Sequence, residues 1–406
     1  MGDTEVLMKM DKLVSSVLVR LDAAYENYLS ERGELVVRLD KALYGCIQSA
    51  KLWYHHLRAT LQGIGFITNP CDECVFNRGV GEEQCTIAIH VDDLLITCKN
   101  EATITTVIDD LTKAYKELKV NYGDQHSYLG MSFDFSAPGR ATISMGGFID
   151  DLLKHYNVNK KASSPATVHL FDIRESPRLK PDDAKLFHSA VAKLLYLAKR
   201  TRPELLTLCS FLASRVSCST EDDMRKLERG LYYLNFDPHL GITLEIGADI
   251  EINAYIDAAY GVHADYKSHT GGLICVGTGP TFVMSSKQKL VAKSSTEAEL
   301  IAIADVSSHV IWTREFLIAQ GHYVKSTIIY EDNLSTITMV KKGKSMSKGS
   351  KHINIRYYFI KDRIESGELD IKHLPTLEML ADCLTKPLQG SHFRYLRNKL
   401  INIVEV

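Results

Sequence analysis

Four acidic residues in the last third of the chain have the types and the spacing that a pair of divalent cations requires. Asp257 and Asp332 follow apolar runs that are typical of strands, whereas Glu299 and Asp382 lie near the starts of predicted helices. Two magnesium ions about 4 Å apart need oxygen ligands from several elements, because one strand or helix cannot surround both ions. The four carboxylates therefore predict a site for two-metal hydrolysis.

The segment 251–257 positions the first of these carboxylates. Ile252, Ala254 and Ile256 alternate with polar or aromatic residues, and this period of two predicts a strand with one buried face. Asp257 then leaves the strand on the opposite face.

Each carboxylate also has an ordinary structural explanation, which the spacing alone leaves open. Glu297 and Glu299 both lie three residues after a Ser or Thr, the spacing of a helix capping box. Asp332 follows a strand and could cap the next helix. Asp382 lies about one turn into a helix predicted to begin near residue 375, where the helix dipole favours an acid.

The motifs around these acids, taken in their order along the chain, resemble the ribonuclease H domain that closes the Pol polyprotein of copia-type retrotransposons. The matching motifs are Ser294-Ser-Thr-Glu-Ala-Glu299, Glu331-Asp-Asn333, Lys351-His-Ile-Asn-Ile-Arg356 and Leu380-Ala-Asp-Cys-Leu-Thr-Lys-Pro387. The resemblance implies hydrolysis of the RNA strand of an RNA–DNA hybrid, with Mg²⁺ or Mn²⁺ held by Asp257, Glu299, Asp332 and Asp382. It assigns Glu297 to the cap and Glu299 to the metal, and the reverse assignment stays open.

An earlier segment carries a second set of acids. Asp92 and Asp93 separate two strand-like runs, Cys85–Val91 and Leu94–Thr97, and an amphipathic helix follows. Hairpin geometry can present adjacent carboxylates to magnesium, although Asp-rich turns are also common without a ligand.

These acids lie within a set of motifs that resembles the copia-type reverse transcriptase. His90-Val-Asp-Asp93 is similar to the family's aromatic-Val-Asp-Asp motif, with His in place of the usual Tyr. Arg38-Leu-Asp-Lys-Ala-Leu-Tyr-Gly45 and Ala50-Lys-Leu-Trp-Tyr54 resemble its strand-turn-helix element, for which packing of an apolar helix face is the alternative. The resemblance implies a polymerase palm with Asp92 and Asp93 as metal ligands.

The family takes another metal-binding Asp from an upstream motif of the form Asp-Val-x-x-Ala-Tyr-Leu-Asn, which this sequence does not contain. We therefore expect RNA-directed DNA polymerase activity to be lost through N-terminal truncation. The implied fold is α/β (α+β), a partial palm and thumb followed by a ribonuclease H-like mixed five-stranded sheet with flanking helices. The implied domains are a truncated palm (1–120), a thumb or connection region (121–245), a ribonuclease H-like domain (246–390) and a C-terminal tail (391–406).

A basic loop begins at Lys341 and could contact the phosphates of a hybrid. The residues assigned to nucleic-acid binding are Lys341, Lys342, Lys344, Lys351 and Arg356. A solvated loop with no ligand is the alternative.

Composition and charge restrict the class of protein and the partners that it can have. The net charge of −2 provides no overall basic surface, so nucleic-acid contacts must come from local clusters. No apolar run approaches the roughly 18 residues of a membrane span, and nine cysteines without a regular framework indicate reduced thiols. With the resemblance, this predicts an intracellular protein, cytoplasmic in a virus-like particle or nuclear, with no membrane partner. The oligomeric state is not determined.

Two alternative functions remain open. Asp332 and Glu368 have the separation found in an integrase-type Asp-Asp-Glu recombinase, but Glu368 opens a predicted strand rather than lying on a helix. A non-catalytic relic that binds nucleic acid without cleaving it would retain the same carboxylates.

Overall fold

The computed structural model of the chain describes residues 6–43, 45–342 and 359–403. The chain divides into two compact units, Met1–Lys119 and Val120–Val406. Among the described residues, the first unit has one hydrophobic core and the second has two hydrophobic clusters. No helix in these ranges is both long enough and apolar enough to cross a membrane.

The first unit combines two antiparallel sheets with helices. One sheet pairs β1 (Leu7–Met10) with β2 (Leu35–Arg38), and the other has the order β3 (Ile67–Thr68), β4 (Val75–Arg78), β5 (Cys85–His90) and β6 (Asp93–Thr97). The described helices are α1 (Lys12–Leu21), α2 (Ile47–Gly63) and α3 (Glu101–Tyr115).

The core of this unit is formed by α2, α3 and the four-stranded sheet. Leu57 and Leu61 of α2, and Val107 and Leu111 of α3, are each spaced four residues apart and are buried together with strand residues such as Ile87. Spacing of three or four residues places side chains on one face of a helix. The predicted strand-turn-strand-helix order is confirmed.

The second unit begins with a four-stranded antiparallel sheet and a group of helices. The strand order is β10 (Ile242–Glu245), β9 (Arg140–Ser144), β8 (Met131–Asp134) and β7 (Gln125–Tyr128). The helices are α4 (Gly146–His155), α5 (Pro181–Ala198), α6 (Leu206–Ala213) and α7 (Glu221–Phe236). Thr220 and Asp223 form a capping box at the start of α7, which satisfies amides that the first turn leaves free.

The remainder of the second unit contains a mixed sheet of five strands. Its order is β13 (Pro280–Lys287), β12 (His269–Val276), β11 (Ile250–Ala259), β14 (Val324–Glu331) and β15 (Asp370–His373). β11 is antiparallel to β12 and parallel to β14, which is parallel to β15. This is the expected ribonuclease H-like fold.

Alternation along β11 divides its side chains between the two faces of this sheet. Ile252, Ala254 and Ile256 are fully buried in the cluster that contains α8 (Ser295–Ala319). Tyr255 packs on the other face with the cluster that contains α5, α6 and α7. The predicted orientation of the strand is confirmed.

Two glycines allow other elements to lie directly on β12. A Cβ atom on Gly272 would lie 2.5 Å from a methyl carbon of Val306 on α8, and a Cβ on Gly271 would lie 2.9 Å from the carbonyl oxygen of Ala381 on the opposite face. Any larger residue would push one of these elements away from the sheet.

The C-terminal region differs from the sequence-based expectation in two places. The single helix predicted near residue 375 is replaced by two 3-10 helices, Thr376–Glu378 and Leu380–Leu384. Met379 between them has an extended backbone, with φ −68° and ψ 100°, and its side chain is fully buried, so inward packing interrupts the helix. The segment 391–406, expected as a tail, contains most of α10 (Gly390–Leu400), which buries Phe393 and Leu396.

Candidate active site: a buried carboxylate centre

The carboxylates of Asp257, Glu299 and Asp332 come together at one edge of the five-stranded sheet. Their ligand atoms all lie within 4.8 Å of one another. Since β11 and β14 are parallel and Tyr255 is in register with Tyr330, residues two positions further along each strand reach the same edge. The first turns of α8 add Glu299 to them.

The start of α8 is held at this edge by a side chain that sequence analysis did not single out. Gln288 donates from Nε2 to the carbonyl oxygen of Ala298 at 2.9 Å and to Oγ1 of Thr270 at 3.1 Å. Ser294 caps the helix by accepting from the amide of Glu297 at 3.2 Å, and Glu297 Oε2 accepts from the amide of Lys293 at 2.8 Å. Glu297 therefore belongs to the cap, whereas Glu299 is buried beside Asp257.

Asp382 joins these acids through Lys386. The Nζ atom of Lys386 donates to Oδ1 of Asp382 at 2.7 Å and to Oδ1 of Asp257 at 3.3 Å. Thr385 also donates a short hydrogen bond from its hydroxyl to Asp257. The 3-10 helix Leu380–Leu384 and the two residues after it thus supply one carboxylate, one ammonium group and one hydroxyl.

A fifth carboxylate, from Glu331, was not predicted as a site residue. Its side chain is fully buried at the end of β14, and its Oε1 accepts from the amide of Asn333 at 3.0 Å. The sequence does contain a signal, because Thr327, Ile329 and Glu331 alternate along the strand and all three are buried. The same alternation leaves Asp332 partly exposed.

We define the carboxylate centre as Asp257, Glu299, Glu331, Asp332 and Asp382. Burial and repulsion by neighbouring acids oppose the ionisation of three of its members, Glu299, Glu331 and Asp382. Burial, and then the charges of Glu331 and Asp257, raise the pKa of Glu299 well above its usual range. Burial raises the pKa of Glu331 as well. For Asp382, burial and the charge of Asp257 raise the pKa to about 6.

Lys386 offsets part of this negative charge. Burial lowers its pKa, but the carboxylates of Asp257 and Asp382 outweigh burial and raise the pKa above its ordinary value. One ammonium group cannot balance five acids, so the centre favours bound protons or an additional cation.

Hydrogen bonding in the carboxylate centre also indicates that it fits a divalent cation. Oε2 of Glu299 and Oε2 of Glu331 are buried and have no hydrogen-bond partner among the described residues. A buried carboxylate oxygen without a donor is costly, and hard divalent cations take such oxygens as ligands.

Glu368, the third acid of the integrase-type alternative, lies apart from the centre. Glu368 forms a salt bridge with Arg363 at 2.8 Å and precedes β15, whereas the opposite end of β15 pairs His373 with Glu331. Glu368 lies five residues before His373, and five residues of extended chain correspond to about 16 Å. His373 is exposed at the end of β15, where it is in register with Glu331.

The acids of the first unit are arranged differently. Asp92 and Asp93 are exposed at the turn between β5 and β6. Val91 in this turn has φ +57°, an unusual value for a β-branched residue, and its carbonyl accepts from Nε1 of Trp53 at 2.7 Å. In the described ranges, Asp92 and Asp93 do not belong to a group of three metal-ligating side chains.

Only part of the predicted nucleic-acid-binding loop can be placed. Lys341 and Lys342 end α9 (Leu334–Lys342), and Nζ of Lys341 lies 3.7 Å from Oδ1 of Asp370, at the start of β15. Lys344, Lys351 and Arg356 lie outside the described residues.

The strand order of the second unit and its convergent acids define a ribonuclease H-like domain. Residues 14–168, which begin in the first unit and run into the second, match the family described as reverse transcriptase (RNA-dependent DNA polymerase). The chain belongs to the Pol family of copia-type retrotransposons.

The curated relatives support this membership over most of the chain. The Pol polyprotein from transposon RE1 of Arabidopsis thaliana is 32% identical over 91% of this chain and 25% of its own length. The Pol polyprotein from transposon TNT 1-94 of Nicotiana tabacum is 28% identical over 88% of this chain and 28% of its own length. The chain thus spans about a quarter of the length of these two relatives.

Solved structures align with the chain at low scores. The N-terminal RNase H domain of a Mycobacterium tuberculosis protein covers 33% of this chain and 95% of that chain, at 14% identity and a TM-score of 0.23. Prototype foamy virus protease–reverse transcriptase covers 90% of this chain and 43% of that chain, at 13% identity and a TM-score of 0.24. Such scores do not bear on the fold, which rests on strand order and packing.

Proposed function

We propose that the second unit hydrolyses the RNA strand of RNA–DNA hybrids, using divalent cations held by the carboxylate centre. The observation that supports this proposal best is the convergence of buried acids from β11, α8, β14 and the 3-10 helix Leu380–Leu384. Each acid alone has an ordinary structural explanation. Burying several of them together without a cation would cost stability.

Asp257, Glu299, Asp332 and Asp382 would hold Mg²⁺ or Mn²⁺. When bound, a pair of such ions activates a water molecule and stabilises the departing oxygen. Asp257 is fixed for this role by Thr385 and Lys386, and Thr376 donates to Oδ2 of Asp332 at 2.8 Å. Discrimination between RNA and DNA requires recognition of the 2′-hydroxyl.

The integrase-type alternative is less consistent with the geometry. Its third acid would be Glu368, which binds Arg363 and lies at the opposite end of β15 from Glu331. The non-catalytic alternative shares every contact described above, and turnover decides between it and the proposal.

The test is cleavage of a 5′-labelled RNA–DNA hybrid by the full chain with MgCl₂. We expect internal RNA cleavage, no cleavage of the matching all-DNA duplex, and loss of activity in EDTA. Asp257→Asn should lower the rate at least about 100-fold, because ion binding contributes several kcal/mol to catalysis.

The matched control is Asp249→Asn, which changes an exposed acid that pairs with Lys325 before β11. The control should cleave like the unaltered chain. Equal cleavage by Asp257→Asn and the unaltered chain would refute the proposed active site. Hybrid binding without cleavage by the unaltered chain would favour the non-catalytic alternative.

A further inference from the structure

A cavity of about 220 Å³ lies in the second unit between α7 and the segment 166–174. Four permanent cations contribute to its wall: Arg174, Arg225, Lys226 and Arg229. Asp222 is the acid that lines it. We call this cavity the basic pocket.

The acid in the wall cannot balance these cations. Asp222 is shared between two of the cations. Its Oδ2 lies 3.1 Å from Nζ of Lys226, and its Oδ1 lies 3.4 Å from a terminal nitrogen of Arg225. Lys226 also donates to the carbonyl oxygen of Asp172. The pocket therefore keeps a net positive charge from Arg174 and Arg229.

The hydrogen bonding of Arg229 is the strongest indication that the basic pocket binds an anion. A terminal nitrogen of its guanidinium donates to Oγ of Ser164 at 2.9 Å, while its Nε is buried with no hydrogen-bond partner among the described residues. Burial lowers the pKa of Arg229. A half-buried guanidinium with an unused donor is suited to bind phosphate oxygens.

The basic pocket is linked to the carboxylate centre by a short chain of contacts. Oγ of Ser164 donates to Oε1 of Gln389 at 2.7 Å, and Nε2 of Gln389 donates to the carbonyl oxygen of Ala166 at 2.6 Å. Gln389 follows Lys386 by three residues, a span of at most about 11 Å of extended chain. A single nucleic-acid strand can therefore reach both places.

We propose that the basic pocket binds a backbone phosphate of the nucleic-acid strand that is held at the carboxylate centre. The inference rests on the proposed function for its ligand, and it adds a site outside the ribonuclease H-like sheet. Arg229 and Arg174 provide the charge, and the cavity of about 220 Å³ has room for a phosphate group. A pocket at this position also fixes how the strand crosses the centre.

The test measures binding of a fluorescein-labelled RNA–DNA hybrid in EDTA, by fluorescence anisotropy over a range of salt concentrations. Cleavage does not enter this measurement, so the pocket and the proposed reaction are tested separately. Arg229→Gln and Arg174→Gln should each weaken binding about 5- to 10-fold and reduce the slope of log K against log salt by about 1. Arg229→Lys should restore part of the affinity.

Lys325→Gln is the matched control, because it removes one positive charge at the start of β14, the end opposite to Asp332. It should leave affinity and slope unchanged. A second arm titrates inorganic phosphate against the unaltered chain and Arg229→Gln by calorimetry, with circular dichroism confirming that each variant folds.

Unchanged affinity and slope in both folded arginine variants would overturn the proposal. Phosphate binding that is lost in Arg229→Gln without any change in hybrid affinity would assign the pocket to a free phosphate compound and would also overturn it. Failure of the unaltered chain to bind hybrid overturns it as well. Failure of hybrid cleavage alone would refute the proposed function and leave the pocket supported.

Discussion

The hairpin acids of the first unit and the carboxylate centre of the second unit use the same residue types in opposite environments. Asp92 and Asp93 are adjacent in sequence and exposed on one turn. Asp257, Glu299 and Asp332 are far apart in sequence, and the first two are almost completely buried. In the second unit the fold, rather than the local sequence, creates the cluster.

A buried cluster of acids is a stronger indication of a functional site than an exposed cluster. Water stabilises exposed carboxylates, so acids on a turn can be close together at little cost. Buried carboxylates lose this hydration and repel one another, which raises the pKa of Glu299 and Asp382. Such a cluster is expected where a cation or a proton has a function.

The largest expected difference between the two regions is in hybrid cleavage. Asp257→Asn should reduce the cleavage rate at least about 100-fold, whereas Asp92→Asn should leave it within about twofold, because the proposed ions bind only to acids of the carboxylate centre. Initial rates on a labelled hybrid provide the measurement. A comparable loss in both variants would show that the two regions act together in cleavage.

The second difference is in the dependence of stability on pH without divalent ions. The pKa of Glu299 is raised in the folded state, so the unfolded state releases its proton first, above about pH 4.5. Its contribution to stability is then lost as pH rises from about 4.5 toward the folded pKa, at about 1.4 kcal/mol per pH unit.

Glu299→Gln removes this titration and should stabilise the protein at pH 7 by up to about 3 kcal/mol relative to the unaltered chain. Urea unfolding in EDTA at pH 5 and pH 7 measures the effect. Asp92→Asn, which changes an exposed acid, is the control and should shift neither curve. An equal stability difference at both pH values would contradict the assigned pKa shift.

The third difference concerns close packing under the carboxylate centre. Gly271→Ala places a methyl group 2.6 Å from Cγ2 of Thr385 and 2.9 Å from the carbonyl oxygen of Ala381. We expect the free energy of unfolding to fall by about 1–3 kcal/mol. The rate of hybrid cleavage should also fall, and more strongly than stability, because the segment that carries Asp382 moves.

Gly63→Ala is the counterpart in the first unit, where an added Cβ meets nothing within 4 Å. It should not destabilise the protein. Thermal unfolding and hybrid cleavage are compared for both variants, and a Gly271→Ala protein of full stability and activity would show that the sheet and the 3-10 helix need no such contact.

The smallest expected effect is on cation affinity. Lys386 lies between Asp257 and Asp382 and repels a divalent ion that uses the same oxygens. Lys386→Met should therefore tighten Mn²⁺ binding by about 3- to 10-fold, or roughly 1 kcal/mol, as measured by calorimetry. Lys325→Met serves as the charge-matched control, and weaker Mn²⁺ binding in Lys386→Met would indicate that the ammonium group organises the ligands instead.

Local patterns predicted much of the fold because they depend on neighbours in the chain. Alternation along 251–257 gave the strand and the orientation of Asp257, and the apolar runs on either side of Asp92 and Asp93 gave β5 and β6. The helix expected near residue 375 was wrong, since burial of Met379 is a tertiary contact that overrides the local helical signal.

The sequence by itself determined the acids, their order and the strands that carry them, since side-chain period and motif spacing are properties of consecutive residues. Only the tertiary structure decided that Glu331 and Lys386 belong to the same centre, that Glu299 rather than Glu297 lies beside Asp257, and that Arg229 lines a pocket near Gln389. These facts depend on distances between residues far apart in the chain and on exclusion of water. Both arise when the sheet and its helices pack together.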